Sequence, residues 1–544
     1  VEDNDFFGPS PTQKGGIGVY INNSGTSWNQ VYNNRFENLK YGTFAYGINR
    51  LAEETGLCIK CNDYEYTDYD IFINGKPFSP NQGIAQYQGS FLPCDTCPAG
   101  NTFSGATVCN YVNSEGMGYV LYIYHGYYPI FENIMPLCIS GIGLAASPFA
   151  YYNKEISCPS KLENSGHIED EKDGMADSEN NAGQKEAQLA AWVDDGDTDG
   201  LNFDVLFSSP PEAGVVYQDL MNQAPFISDT VLKTAIYKED VLINAMIRDI
   251  LIASPQSAKN DEILKAIDER FDPMPQWMKD QVLEGLNVLS AKEAVEAELS
   301  TWKQKRGEHF NNLYQFFRKD TLDPASLDSL ELLLANDPYL ESKYRLVFHY
   351  YQEHDFNNMN TILNNIASSF DLSNTEQITH QDYLFLFNIL EQLSGNALLL
   401  DESQAALLET LIERDEFFPG AYARDILIAA GFINYEEPII IPEAFKSSEV
   451  FENEPFNSFD KPEILNVFPN PADDYIVVDY NVEGHSGIVL LSIIDLSGKP
   501  VFAEVQPIMH NQKVISTANW KSGVYLVTVS VNGSTIKSSK LTIK

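Results

Sequence analysis

The sequence predicts a multidomain chain of three unlike parts: right-handed parallel β-helix-like coils, then an all-α helical-hairpin domain, then a C-terminal antiparallel β-sandwich. Three observations carry this expectation. An Asn-x-aromatic motif recurs at the start (Asn4-Asp5-Phe6, Asn34-Arg35-Phe36, Asn62-Asp63-Tyr64, Asn101-Thr102-Phe103), in steps of 30, 28 and 39 residues. Apolar residues take helical spacing from about residue 190 to residue 444. Beyond a proline-containing, acidic break, short apolar runs separated by Gly or Ser turns continue to Lys544.

Bulk properties set the frame. At 544 residues the chain has room for about three domains, and 44% hydrophobic content is enough to build their cores. Nowhere is there a run of roughly 18 apolar residues that would span a bilayer. The net charge of −42 repels phosphates and anionic lipid, so nucleic acid is not an expected partner. From Lys461 onward seven Lys balance seven acidic residues, so the whole excess lies in residues 1–460 and the last segment has a surface of its own. Val1-Glu2-Asp3-Asn4 is not a basic region followed by an apolar one; a secretory signal is expected to lie upstream or to have been removed.

Residues 1–160 are read as the last coils and cap of a parallel β-helix. Gly18-Val19-Tyr20-Ile21-Asn22-Asn23 and Leu57-Cys58-Ile59-Lys60-Cys61-Asn62 fit coils that stack so that Asn and aromatic side chains form ladders. So few coils cannot bury their own ends, so further coils or a cap are expected upstream; an irregular β-sandwich is the alternative. Residues 161–189 read as an acidic linker, since 161–204 holds thirteen acidic residues against three Lys.

Residues 190–444 form the helical domain. Ser290-Ala291-Lys292-Glu293 is a capping box, and Val295, Leu299, Trp302, Phe310, Leu313 and Phe317 follow on one helical face. Further helices are expected over 229–238, 241–253, 342–353, 358–368 and 405–414, with breaks at Pro255, Asp337-Pro338 and Asp355. Short connections between paired helices suggest a bundle or a short solenoid. Residues 445–462 are a second linker. Strands over 475–480, 488–494, 514–517, 524–531 and 539–543 then argue for a small Ig-like sandwich at 463–544.

This last segment carries motifs with a family resemblance: Phe468-Pro469-Asn470-Pro471-Ala472-Asp473, Ile494-Asp495-Leu496-Ser497-Gly498-Lys499, Gly523-Val524-Tyr525-Leu526-Val527 and Lys540-Leu541-Thr542-Ile543-Lys544. In this order they resemble the type A sorting domain of type IX secretion cargo of Bacteroidota; Phe468 stands where Tyr is commoner. The prolines stiffen the entry, Gly498 suits a hairpin turn with positive φ, and Gly523 would allow a tight turn. The resemblance implies export through the periplasm and a large outer-membrane translocon barrel, with shuttle or attachment β-barrel proteins as partners, to the cell surface or medium. It makes Phe468, Pro469, Asn470, Pro471, Asp473, Gly498, Gly523, Tyr525 and Lys540 the expected recognition motif, with any cleavage falling in residues 445–463. Trp192-Val193-Asp194-Asp195-Gly196-Asp197-Thr198 and Ile247-Arg248-Asp249-Ile250-Leu251 are similar to stretches preceding this domain in large surface proteins, a likeness that brings no activity with it.

Other candidates are weaker. All seven cysteines fall between Cys58 and Cys158, so at least one cannot pair within the chain. Cys58/Cys61 and Cys94/Cys97 have zinc-ribbon spacing, yet disulfides suit a secreted chain better, and Cys138 with Cys158 is an expected pair. Asp195, Asp197 and Asp199 take the first, third and fifth positions of a calcium loop, with Gly200 sixth but Leu206 at the twelfth position, where Glu is needed. Asp63, Glu65, Asp68 and Asp70 stand among tyrosines where sugar chemistry is conceivable, but nothing in the spacing fixes a catalytic pair. His349 and His354 lie five apart, off a shared helical face, and no nucleophile elbow, Walker loop or dinucleotide fingerprint is found. The expectation is a non-enzymatic adhesin- or scaffold-like surface protein with a glycan or protein ligand. The alternatives are a carbohydrate-active β-helix enzyme whose active coils lie upstream, and a stable component bound to the translocon.

Overall fold

The structure, a computed structural model, describes the chain except residues 26–28, 52–54, 78, 80, 93, 106–107, 128–132, 160–167, 320–323, 394–395, 397–398, 415–417, 435–463, 483–484 and 507–509. The expected linker at 445–462 lies outside the described residues. Two compact units divide the chain: residues 1–187 with 294–440, and residues 188–293 with 441–544. Among the described residues no helix is long and apolar enough to cross a membrane.

The larger unit begins β-rich, with parallel sheets. Asp5–Phe7, Arg35–Glu37 and Asp63–Glu65 pair in parallel, with Phe6 against Phe36 and Phe36 against Tyr64. Ile17–Asn22, Tyr41–Tyr46, Tyr69–Asn74, Cys109–Asn113 and Ile139–Ser140 form a five-stranded parallel sheet, and Tyr87–Gln88, Val120–Tyr127 and Ile142–Tyr151 a third. The recurring sequence motif has a physical basis in this register. The Oδ1 of Asn34, Asn62 and Asn101 each accepts from the backbone N–H and Nδ2 of the preceding Asn in the series, at 2.9–3.1 Å. Beside this amide ladder Phe6, Phe36, Tyr64 and Phe103 stack with ring centroids 5.1, 5.0 and 6.2 Å apart.

The same register decides the disulfides. Tyr111 pairs with Ile139, which sets Cys109 and Cys138 side by side at a Cα distance of 4.9 Å, and they are bonded. Cys158 instead follows the short helix Lys154–Ser157 and bonds Cys61, 97 residues away. The expected Cys138–Cys158 pair is therefore corrected, while Cys94–Cys97 forms a bridge within its own loop. Cys58 stays a buried thiol whose Sγ accepts from the Gln304 amide at 2.7 Å.

Part of the segment expected as an acidic linker is helical: Ile168–Trp192 is a single 25-residue helix. Three of its charged side chains are paired: Glu171, Lys185 and Glu186 meet His309, Glu298 and Lys303 of the helix Ala291–Lys319 at 2.7, 2.5 and 2.9 Å. Ile168 and Met175 pack on the core that holds Phe310, Leu313 and Phe317, three members of the face expected on that second helix. Helices Pro324–Asn336, Leu340–Gln352, Phe356–Ser369, Asn374–Leu393, Glu402–Arg414 and Phe418–Ala429 complete the unit.

In the smaller unit, helices Thr198–Phe207, Ala213–Gln223, Asp229–Tyr237, Asn244–Ala253, Asp261–Asp268 and Gln276–Leu283 build one core. The capping box forms as expected: Ser290 N–H donates to Glu293 and Glu293 N–H to Ser290 Oγ. Glu293 also binds Lys259 at 2.7 Å, with both side chains almost fully buried. The C-terminal region is antiparallel. Ile464–Phe468, Tyr475–Asn481 and His510–Ser516 form one sheet; Pro500–Gln506, Val489–Asp495, Gly523–Val531 and Ser534–Ile543 form the other. Ile476, Val478, Leu491, Ile493, Val527 and Val529 make the core the two sheets share.

Candidate functional site

The terminal motif folds into a corner against the last strand. Phe468 ends the Ile464–Phe468 strand, 39% exposed, and the Pro469–Pro471 stretch turns the chain. Asn470 then acts as a substitute strand residue: its Nδ2 donates to Lys540 O at 2.7 Å and its Oδ1 accepts from Thr542 N–H at 3.0 Å. The backbone continues the zipper, with Ala472 N–H donating to Thr542 O and Lys544 N–H to Ala472 O. An amide is the one side chain that supplies both a donor and an acceptor in this plane, which explains Asn between two prolines that cannot donate. Asp473 adds an ion pair with Lys544 at 3.1 Å, and its carbonyl accepts from Thr517 Oγ1. Asn470, Pro471, Asp473 and Lys540, up to 70 residues apart in sequence, are thus gathered at one place.

Two further motif positions shape the four-stranded sheet. Gly498, at φ +82°, closes the turn in which the Asp495 carboxylate accepts from Ser497 Oγ and from the N–H groups of Ser497 and Lys499. The Ser497 hydroxyl above all, and then the Lys499 amide, hold Asp495 below the usual carboxylate range. Tyr525 is buried, and its hydroxyl donates to Lys521 O at 2.7 Å. Gly523 opens the Gly523–Val531 strand, directly after the turn at residues 518–520, and its φ is not positive.

The other face of this module is already covered. Val477 and Val514 turn from the shared core into the helical core. Arg248, with its side chain 3% exposed, donates to Asn511 Oδ1 at 2.6 Å and to Gln512 O, and Trp277 lies against His510 at a ring distance of 4.5 Å. Burial raises the Asp249 carboxyl, opposed by the adjacent Arg248 guanidinium. Two signals for these residues were in the sequence. Ile476-Val477-Val478 is continuously apolar where a half-exposed strand would alternate, and Arg248-Asp249 sits inside an otherwise apolar helix.

The remaining candidates are not drawn together. Asp197 is spent as the N-cap of Thr198–Phe207, accepting from Gly200 N–H, while Asp195 and Asp199 are exposed. Asp194, not singled out as a ligand, is the buried member, accepting from Thr198 Oγ1 and Ser228 N–H. Among the described residues no three His, Cys, Asp or Glu side chains are grouped to hold a metal. Asp63, Glu65 and Asp68 pair with Lys154, Arg35 and Lys14. Asp70 is buried, accepting from Thr67 Oγ1, Ser104 N–H and Asn110 Nδ2; burial outweighs these bonds and pushes its pKa up to about 6.

Fold and corner together define a small antiparallel β module whose entry motif is fastened to its own last strand. Residues 466–544 match the family described as the secretion system C-terminal sorting domain. The chain thus carries a sorting domain, which supports its standing as secreted cargo of the type IX secretion system. No curated protein and no solved structure is matched.

Proposed function

We propose that this is a cell-surface protein in which residues 466–544 are the address read by the outer-membrane export machinery, and the preceding residues are the delivered body. In this reading the gathered corner of Asn470, Asp473 and Lys540 is what the translocon barrel and its shuttle or attachment β-barrel partners engage. The observation that carries it is the sorting-domain match over the segment in which that corner is built. We further propose that the parallel strands are coils of a β-helix, supported by the amide ladder and the stacked rings, and that the body is a non-enzymatic adhesin or scaffold.

The test is a secreted reporter fused to residues 463–544 in a type IX-competent host. Surface display that vanishes when the translocon is deleted is the expected result. Reporter held in the periplasm would overturn the assignment of the address to this module.

A further inference from the structure

A cleft of about 1130 Å³ opens in the larger unit, lined on one side by residues of the first parallel strands and on the other mainly by the helices Ala291–Lys319 and Leu340–Gln352, with Glu171, Leu330, Leu334 and Tyr422 added by neighbouring helices. It exceeds the roughly 300–1,000 Å³ of pockets that hold drug-sized ligands, so it admits a chain of several rings. The two main helices each contribute a row at helical spacing: Tyr314, Gln315 and Arg318 from Ala291–Lys319, and Arg345, His349 and Gln352 from Leu340–Gln352. Arg345 is held in place over the Tyr314 ring, 5.0 Å from its centroid. The side chains of Gln315, Arg318, His349 and Gln352 have no hydrogen-bond or ion-pair partner among the described residues.

We propose that this cleft binds a neutral oligosaccharide. Its lining mixes both signs, three carboxylates against two guanidinium groups: an anion would meet Glu2, Glu171 and Glu308, and an amine would meet Arg318 and Arg345. Hydroxyl groups, which both donate and accept, match such a mixed wall, and the two unpartnered amides offer both functions at once. Tyr314 and Phe348 supply apolar surface between the polar groups. The site gives the adhesin reading above a ligand, and it stands or falls apart from export because it is tested on the purified chain.

Isothermal titration calorimetry of residues 1–544 with cellohexaose, xylohexaose, chitohexaose and hexagalacturonate decides the matter. One or more of the three neutral hexaoses binds at a single site, with Kd below about 1 mM. The double variant Gln315→Ala/Arg318→Ala weakens that binding at least tenfold, and Gln352→Ala on the facing row weakens it too, with thermal midpoints unchanged. No heat from any neutral hexaose, binding by hexagalacturonate alone, or unaltered binding in both variants would overturn the proposal.

Discussion

Val477 and Val514 stand directly opposite each other on neighbouring antiparallel strands, and both face the helices of residues 213–282 instead of the core between the sheets. The three-stranded sheet is thus covered on both faces, and the sorting module shares an apolar core with the helices that precede it in sequence. The four-stranded sheet has no such cover on Leu526, which is 41% exposed.

This asymmetry sets the first prediction. Val477→Ala removes buried methyl groups from the helix–sheet core and costs about 1–3 kcal/mol. Leu526→Ala, on the open face, changes stability by about 0.5 kcal/mol or less. Urea unfolding followed by the fluorescence of Trp277, which lies against His510, reads both. Equal effects would mean that the helices do not stabilise the module.

The terminal corner gives the second. In Asn470→Asp the donor to Lys540 O is lost and a carboxylate is set against that carbonyl, whereas the acceptor for Thr542 N–H survives. The last strand should loosen by about 1 kcal/mol, seen as faster hydrogen exchange at Lys544, whose amide depends on the same zipper. Unchanged exchange would leave the motif without a structural role.

The amide ladder gives the third. Asn62 is fully buried; its side chain accepts twice from Asn34 and donates to Val31 O and Lys60 O and to Asn101. Asn62→Ala strands several buried backbone and amide groups, each costing about 1–3 kcal/mol. Exposed Asn4 has a partner on one side only, and Asn4→Ala should cost about 1 kcal/mol or less. Hydrogen exchange across Tyr41–Tyr46 and Tyr69–Asn74 compares the two.

How much of this was legible in the sequence depended on range. The ladder was legible because stacking in register demands the same residue type at each step, so Asn4, Asn34, Asn62 and Asn101 announced themselves. The capping box was legible because Ser290 and Glu293 are three apart. Disulfide partners were not: Cys109 meets Cys138 only because Tyr111 pairs with Ile139, a register that spacing does not encode. Nor was the helix at 168–192, where Glu171 and Glu186 meet His309 and Lys303 on a helix more than a hundred residues later. The corner residues were recognised as a motif, but their convergence required the last strand to run beside Ala472.

The fourth prediction follows from the disulfides. Alkylation of the unfolded but unreduced chain should label Cys58 alone, because the other six cysteines are paired. In the folded chain Cys58 should resist the reagent, being buried and bonded to Gln304. Label found on Cys109 or Cys138 in peptide mass spectrometry would contradict the pairing.

The last prediction concerns pH, where two buried groups of the parallel-stranded region oppose each other. Asp70 titrates near 6, raised by burial from 3.8. It therefore takes up protons more readily folded than unfolded, and its contribution to stability falls as pH rises from about 4 to 6. His125 is held down to about 4 by burial and by Lys60, and among the described residues neither ring nitrogen has a hydrogen-bond partner. It binds protons less readily folded, so its contribution rises as pH climbs from about 4 to 6.5. Each effect is of the order of 3 kcal/mol over its window, and the two cancel in large part. Relative to the parent chain, Asp70→Asn should gain stability as pH rises through this range, and His125→Phe, which keeps the edge contact with Tyr152, should lose it. Hydrogen exchange of the Val120–Tyr127 strand at pH 4, 5, 6 and 7 measures both slopes. A slope unchanged from the parent chain, or of the opposite sign, in either variant would show that its group is not buried in the charge state assigned to it.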